Sequence, residues 1–219
     1  LVVILNLDAL INGKWQKAAL ISIAAGFPAG LMMGLKLPSV IFCIGLCAAL
    51  MLTAGPFKRR IAISFLFGIG VLAGIALSLG HWMYFLESNF DSPLFPYFNN
   101  FFTSPLAPQT SARDIQFIPQ TIGDALLFPY IFAEHPLRVG EIIWRDLRIP
   151  VLYSLLPIAI ALRLIFGRNV EKKSMISAPY PARYLLWTAV ISYAVWLAMF
   201  SIYRYAVPLE MLAPLLITF

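Results

Sequence analysis

Charge is scarce in this chain. Asp, Glu, Lys and Arg make up 12% of its 219 residues, against 61% hydrophobic. Soluble chains run at roughly 25% charged and 45–50% apolar. A globule of this size has too little interior to hide so much apolar surface, so lipid must be the solvent for part of it. Disorder is excluded by the same proportions. Cysteine is almost absent: Cys43 and Cys47, one helical turn apart in an apolar run, cannot make a disulfide scaffold and read as packing residues. The two histidines, His81 and His135, have no metal-ligand spacing. Short alternating apolar segments are missing, which argues against a membrane barrel. No P-loop, GxSxG, HExxH or dinucleotide fingerprint occurs. The net charge of +6 sits between apolar runs, as topology signals do, so nucleic acid is not an expected partner.

What is present is a series of apolar runs. Spanning about 30 Å of hydrocarbon takes about 20 apolar residues. Residues 18–35, 37–57, 61–86 and 149–166 qualify, and 185–203 is borderline. Two further runs, 1–11 and 207–219, lie at the ends, and the chain therefore reads as a piece of a longer polytopic protein. No basic segment precedes the first run to make it a signal peptide. Backbone groups cannot stay unpaired in lipid, so runs of this length should be helices. The expected fold is all-α: a polytopic transmembrane bundle with a long Pro/aromatic-rich extracytoplasmic loop. Residues 1–86 would hold a partial first helix and three spans, 87–148 the loop with interfacial segments, and 149–219 two spans and a truncated third.

Lys and Arg set the orientation. Lys14 and Lys17, then Lys58, Arg59 and Arg60, then Arg168, Lys172, Lys173 and Arg183 fall on one side when the helices are counted. That side is expected to be the cytoplasm of a bacterial inner membrane, which puts 87–148 outside. Gly26, Gly30 and Gly34 repeat at four-residue spacing, as do Gly70, Gly74 and Ser78, and such stripes let helices approach closely in lipid. Pro28 is expected to kink its helix. The outer segment carries seven prolines with many Phe and Tyr, as in "PLFPYFNNFFTSP" and "LLFPYIF". That content suits a compact loop on the membrane surface, and "IGDALLFPYIF" suits a short interfacial or re-entrant helix.

Three stretches resemble bacterial polytopic glycosyltransferases of the GT-C type. "LNLDALINGKWQKAALISIAAGFPAGLMMGLKLPSVIF" is similar to the helix, basic turn and Gly-Leu-Lys helix end in their middle portion. "SPLFPYFNNFFTSP" is similar to one of their Pro-rich aromatic loops. "RYAVPLE", from Arg204 to Glu210, resembles their Arg-Tyr motif at the outer end of a late helix. The resemblance implies transfer of a sugar from a polyprenyl-phosphate carrier to a glycan or lipid acceptor outside the membrane. It also implies a catalytic carboxylate in a first outer loop that this chain does not contain.

The candidate residues follow from charge and position. Arg204 stands at an expected outer edge, where its planar fork would match a lipid phosphate, with Tyr205 beside it. Snorkelling from the helix end explains Arg204 as well. Lys36, in a one-residue outer turn, breaks the inside bias of lysine and would act as a second point charge. Glu210 is a carboxylate in an apolar stretch and needs a partner, for which Arg204 is nearest in sequence. Arg113 and Asp114 lie in the polar part of the outer loop. They read as a surface pair, with Asp114 the one candidate base in the chain. "RDLR", Arg145 to Arg148, reads as an interfacial flank. No metal site is expected. A divalent cation is compatible with the chemistry, but no residue pattern asks for a cofactor. The rivals are a polysaccharide polymerase or ligase with similar lipid-linked substrates, and a transporter. The absence of internal repeats and of mid-membrane polar residues speaks against the transporter.

Overall fold

The computed structural model describes residues 1–110, 114–166 and 180–217. Every regular element among them is helical. Two short helices, α1 (Val2–Leu5) and α2 (Leu7–Asn12), lead into α3 (Trp15–Leu35), α4 (Val40–Met51) and α5 (Phe57–Phe90). The middle of the chain supplies α6 (Asn99–Phe102) and α7 (Ile122–Glu134), and the rest α8 (Arg148–Phe166), α9 (Tyr180–Met199) and α10 (Val207–Ile217).

Three helices, α3, α5 and α9, are long and apolar enough to cross a membrane. Much of their apolar surface faces outward; Leu72 is 67% and Leu77 70% exposed. Such side chains suit lipid contact and would be costly in water. At 1.5 Å per residue, the 34 residues of α5 extend about 51 Å, well beyond the roughly 30 Å of a hydrocarbon core. The helix ends on Asp91 in the left-handed conformation (φ 53°), which a short polar side chain tolerates.

The glycine stripes form the seam between α3 and α5. A Cβ at Gly26 or Gly30 would fall on the carbonyl oxygens of Phe67 and Val71. In return, Gly70 and Gly74 of α5 lie against the carbonyls of Ile23 and Phe27. Each backbone therefore presents Cα hydrogens to the other's carbonyls, a contact available only where no side chain intervenes. The helix of α3 runs on through Pro28.

Residues 37–57, expected as one span, are not one helix. Pro38 opens a 3₁₀ turn over Leu37–Ser39, and α4 then covers 12 residues, about 18 Å. Gly55 at φ +107° and Pro56 end the run before α5. The apolar run was long enough to span; its turn residues divided it. The helix α4 packs on α9: Tyr184 donates to the Leu46 carbonyl (3.1 Å), and Gly45 lies against Ser192 and Thr188. Cys43 and Cys47 are free thiols turned toward the carbonyls of Ala29 and Ser64, each at 3.3 Å.

The segment 87–148 is folded onto the helices in its described part. Asn99 is fully buried and donates to the carbonyls of Ser104, Ala107 and Pro108 while accepting from Ser104 N. The helix α7 starts where the Thr121 hydroxyl accepts the Asp124 N–H at 3.0 Å, an ordinary N-cap. Phe128 and Phe132 of α7 close around the buried indole of Trp196 and join a core with Ile149 and Leu209. A separate core gathers Leu10, Ile63, Phe67 and Tyr184 between α2, α3, α5 and α9. Two of the basic residues read as topology signals also cap helices. Arg59 donates to the carbonyls of Leu10 (2.7 Å) and Gly13 (2.6 Å), and Arg60 to Met51 (3.0 Å).

Candidate functional site

The site begins where α9 stops. The Trp196 indole donates to the Ile202 carbonyl at 2.9 Å, and Ser201 N–H bonds back to the Trp196 carbonyl with Ser201 at φ 51°. The chain then makes a 3₁₀ turn over Tyr203–Tyr205. Tyr203 is buried, and its N–H donates to the Val139 carbonyl at 2.7 Å, which ties the turn to the segment before α8. Arg204 is thereby left exposed and Tyr205 half-buried.

Facing this turn is the end of α3. Lys36 terminates the helix and is exposed. Between the two lies an open groove of about 500 Å³. Its walls are mostly apolar, from Leu31, Met32 and Leu35 of α3, Phe42 of α4 and Pro208 of α10. Its polar end is made by Lys36, Arg204 and Tyr205. The Lys36 Nζ and the Arg204 guanidinium carbon each lie 5.3 Å from the centre of the Tyr205 ring. Arg204 Nη2 also approaches the Tyr205 hydroxyl at 3.4 Å. Neither cation belongs to an ion pair among the described residues, which pair only His135 with Glu134 and Arg148 with Asp146 and Glu210. Three residues singled out from sequence as a phosphate clamp, up to 169 positions apart, are therefore brought to one place.

Glu210 belongs to a different cluster. It is 2% exposed, and its partner is Arg148, not Arg204: Arg148 Nη2 lies 3.5 Å from Glu210 Oε2. The helix explains why. Pro208 lines the groove, and two residues on, at about 100° each, Glu210 points to the other side of α10, toward α8. The Arg148 guanidinium is shared. Its Nε donates to Asp146 Oδ2 at 2.8 Å and its Nη2 at 2.5 Å, while the Arg148 backbone N–H donates to Asp146 Oδ1 at 2.8 Å. These bonds from Arg148 hold the Asp146 carboxyl below the usual carboxylate range. Glu210 Oε1 is buried and has no hydrogen-bond partner among the described residues. Asp146 and Arg148 belong to the stretch expected as an interfacial flank. The signal that could have found them is an aspartate two residues ahead of an apolar helix, the place of an N-terminal cap.

Asp114 is exposed and accepts from Gln116 Nε2 at 3.2 Å; it does not line the groove. Arg113, and the pair it was expected to make with Asp114, lie outside the described residues, as do Arg168, Lys172 and Lys173. Among the described residues no three His, Cys, Asp or Glu side chains gather to hold a metal ion. Three helices long and apolar enough to cross a membrane, with outward-facing Leu, Ile and Phe side chains, are the features of a helical membrane protein. The chain matches no known protein family, no curated protein and no solved structure.

Proposed function

We propose that this chain is an integral membrane glycosyltransferase that moves a sugar from a polyprenyl-phosphate carrier to a glycan or lipid acceptor outside a bacterial inner membrane. One observation carries the reading: two cations without acidic partners among the described residues stand at the polar end of an apolar groove. Leu35, 82% exposed, and Met32 lie along that groove on the outward surface of α3, so a long apolar chain reaches it sideways from the bilayer. An amphiphile with one phosphate fits both ends. The GT-C resemblance of "RYAVPLE" supplies the chemistry.

In that chemistry the acceptor hydroxyl attacks the anomeric carbon, the bond from that carbon to the phosphate oxygen breaks, and polyprenyl phosphate leaves. Lys36 and Arg204 stabilise the negative charge that grows on the departing phosphate. A carboxylate takes the hydroxyl proton; Asp114, the base candidate offered by the sequence, does not line the groove, so that step is assigned to no described residue. The same orientation puts Lys14, Lys17 and Lys58 to Arg60 in the cytoplasm.

The test is sugar transfer from a polyprenyl-phosphate donor by the full chain in lipid nanodiscs. Arg204→Ala is expected to lower kcat/KM by roughly 10–100-fold, the value of a hydrogen bond to a charged group. Arg204→Lys keeps the charge and loses the fork, so it falls between the two. Normal transfer by Arg204→Ala overturns the clamp. Topology is checked with an impermeant thiol reagent on intact cells: Gln109→Cys labels and Lys58→Cys does not, and the reverse pattern inverts the orientation.

A further inference from the structure

Arg204 and Lys36 carry like charges, stand on elements far apart in sequence, and are gathered without an acid among the described residues. Ordinarily a carboxylate does this work, and a carboxylate would also cancel the charge that a phosphate must find. Here the group between them is an aromatic ring. Both cations are 5.3 Å from its centre, within the roughly 6 Å over which the quadrupole of a ring attracts a cation. A ring attracts each cation and neutralises neither. The ring is itself held. Tyr205 N–H bonds to the Ile202 carbonyl at 3.1 Å, and Phe200 packs edge-on against the ring at 5.5 Å. Among the described residues the Tyr205 hydroxyl has only the long 3.4 Å approach from Arg204, so the phenol oxygen is the lesser part of the arrangement.

We infer that the Tyr205 ring is the positioning residue of the phosphate clamp: it holds Lys36 and Arg204 beside it unneutralised, so that a lipid phosphate binds without first breaking an ion pair. The inference rests on the reading of the groove as a lipid-phosphate site, but not on sugar transfer. It makes the aromatic face, rather than the hydroxyl, the property that matters at position 205.

The experiment measures binding of polyprenyl phosphate, and separately of uncharged polyprenol, to the full chain in phosphatidylcholine nanodiscs. Tyr205→Phe is expected to bind the phosphate within twofold of the native chain, and Tyr205→Trp at least as well as the native chain, because indole is the best cation acceptor. Tyr205→Leu is expected to bind it roughly tenfold more weakly, with its affinity for polyprenol unchanged. Raising the salt concentration should weaken the phosphate complex and leave polyprenol binding alone. If Tyr205→Phe is as poor as Tyr205→Leu, the hydroxyl is the ligand and the inference is wrong. If Tyr205→Leu loses phosphate and polyprenol equally, the ring is packing only and the inference is again wrong. Should the native chain bind polyprenyl phosphate with this pattern yet transfer no sugar, the transferase reading falls and the role of Tyr205 stands.

Discussion

Arg148 and Arg204 both stand beside the start of α10, 56 residues apart in sequence, and they do opposite things. Arg148 is shared by two carboxylates, one of them buried, and its directional capacity is consumed inside the protein. Arg204 lies against the Tyr205 ring and has no acidic partner among the described residues. A buried acid demands a partner because an ion out of water costs several kcal/mol. An exposed cation at an apolar groove makes no such demand and is free for a ligand. The difference separates an arginine tied to two carboxylates from one without an acidic partner among the described residues. In sequence the two look alike: each is a basic residue near the end of an apolar run.

The sharpest way to break the comparison is to remove Arg148. Arg148→Ala leaves Glu210 buried with neither oxygen partnered. Thermal unfolding in detergent should show a larger loss of stability for this variant than for any of those that follow. Adding Glu210→Gln should recover part of it, since the uncompensated charge is then gone. Equal stability of Arg148→Ala and the native chain would mean that the cluster does not tie α8 to α10.

Next comes the seam that carries the groove wall. Gly30→Ala places a methyl group on the Val71 carbonyl and must push α3 from α5. A loss of about 1–3 kcal/mol is expected from overpacking of this kind. Gly68 has open space around it, so Gly68→Ala should cost nothing by crowding and serves as the control. Similar melting of both variants would show that the seam yields freely.

A smaller effect separates the clusters by pH. Asp146 has a carboxyl pKa lowered by its bonds from Arg148, so its contribution to stability is present above the ordinary aspartate value of about 3.9. It is lost as pH falls through the lowered folded value. Acid unfolding of Asp146→Asn should therefore lack one destabilising step below about pH 4. Coincident acid profiles would contradict the assignment. The smallest effect on stability belongs to Arg204→Ala: a change within about 0.5 kcal/mol, as for an exposed residue outside any network. A large loss would move Arg204 to the same class as Arg148.

How much of this was legible in the sequence depended on the range of the interaction. Gly26, Gly30, Gly70 and Gly74 announced the α3–α5 seam because a helix repeats locally and small residues at four-residue spacing have one main use in lipid. Lys36 and Arg204 stood out because each is a basic residue on the side that the expected topology leaves poor in Lys and Arg. Their meeting on Tyr205 was not legible, because nothing local says which helix ends are neighbours. The Arg148–Glu210 contact spans 62 residues and is hidden for the same reason, while Arg204 is the nearer arginine in sequence. The break of residues 37–57 was written in Pro38, Gly55 and Pro56, but an unbroken apolar run weighed more. The core role of α7 was hidden because Phe128 and Phe132 meet Trp196 only through tertiary packing.

The central claim is that Lys36 and Arg204 hold one and the same phosphate. A double-mutant cycle on polyprenyl-phosphate binding, with Lys36→Ala, Arg204→Ala and the pair in the full chain in nanodiscs, addresses it directly. Coupling is the expected result: each single change weakens binding roughly tenfold or more, and the double variant binds no worse than about twofold below the weaker single variant. Strictly additive losses, or normal binding by the double variant, would contradict it.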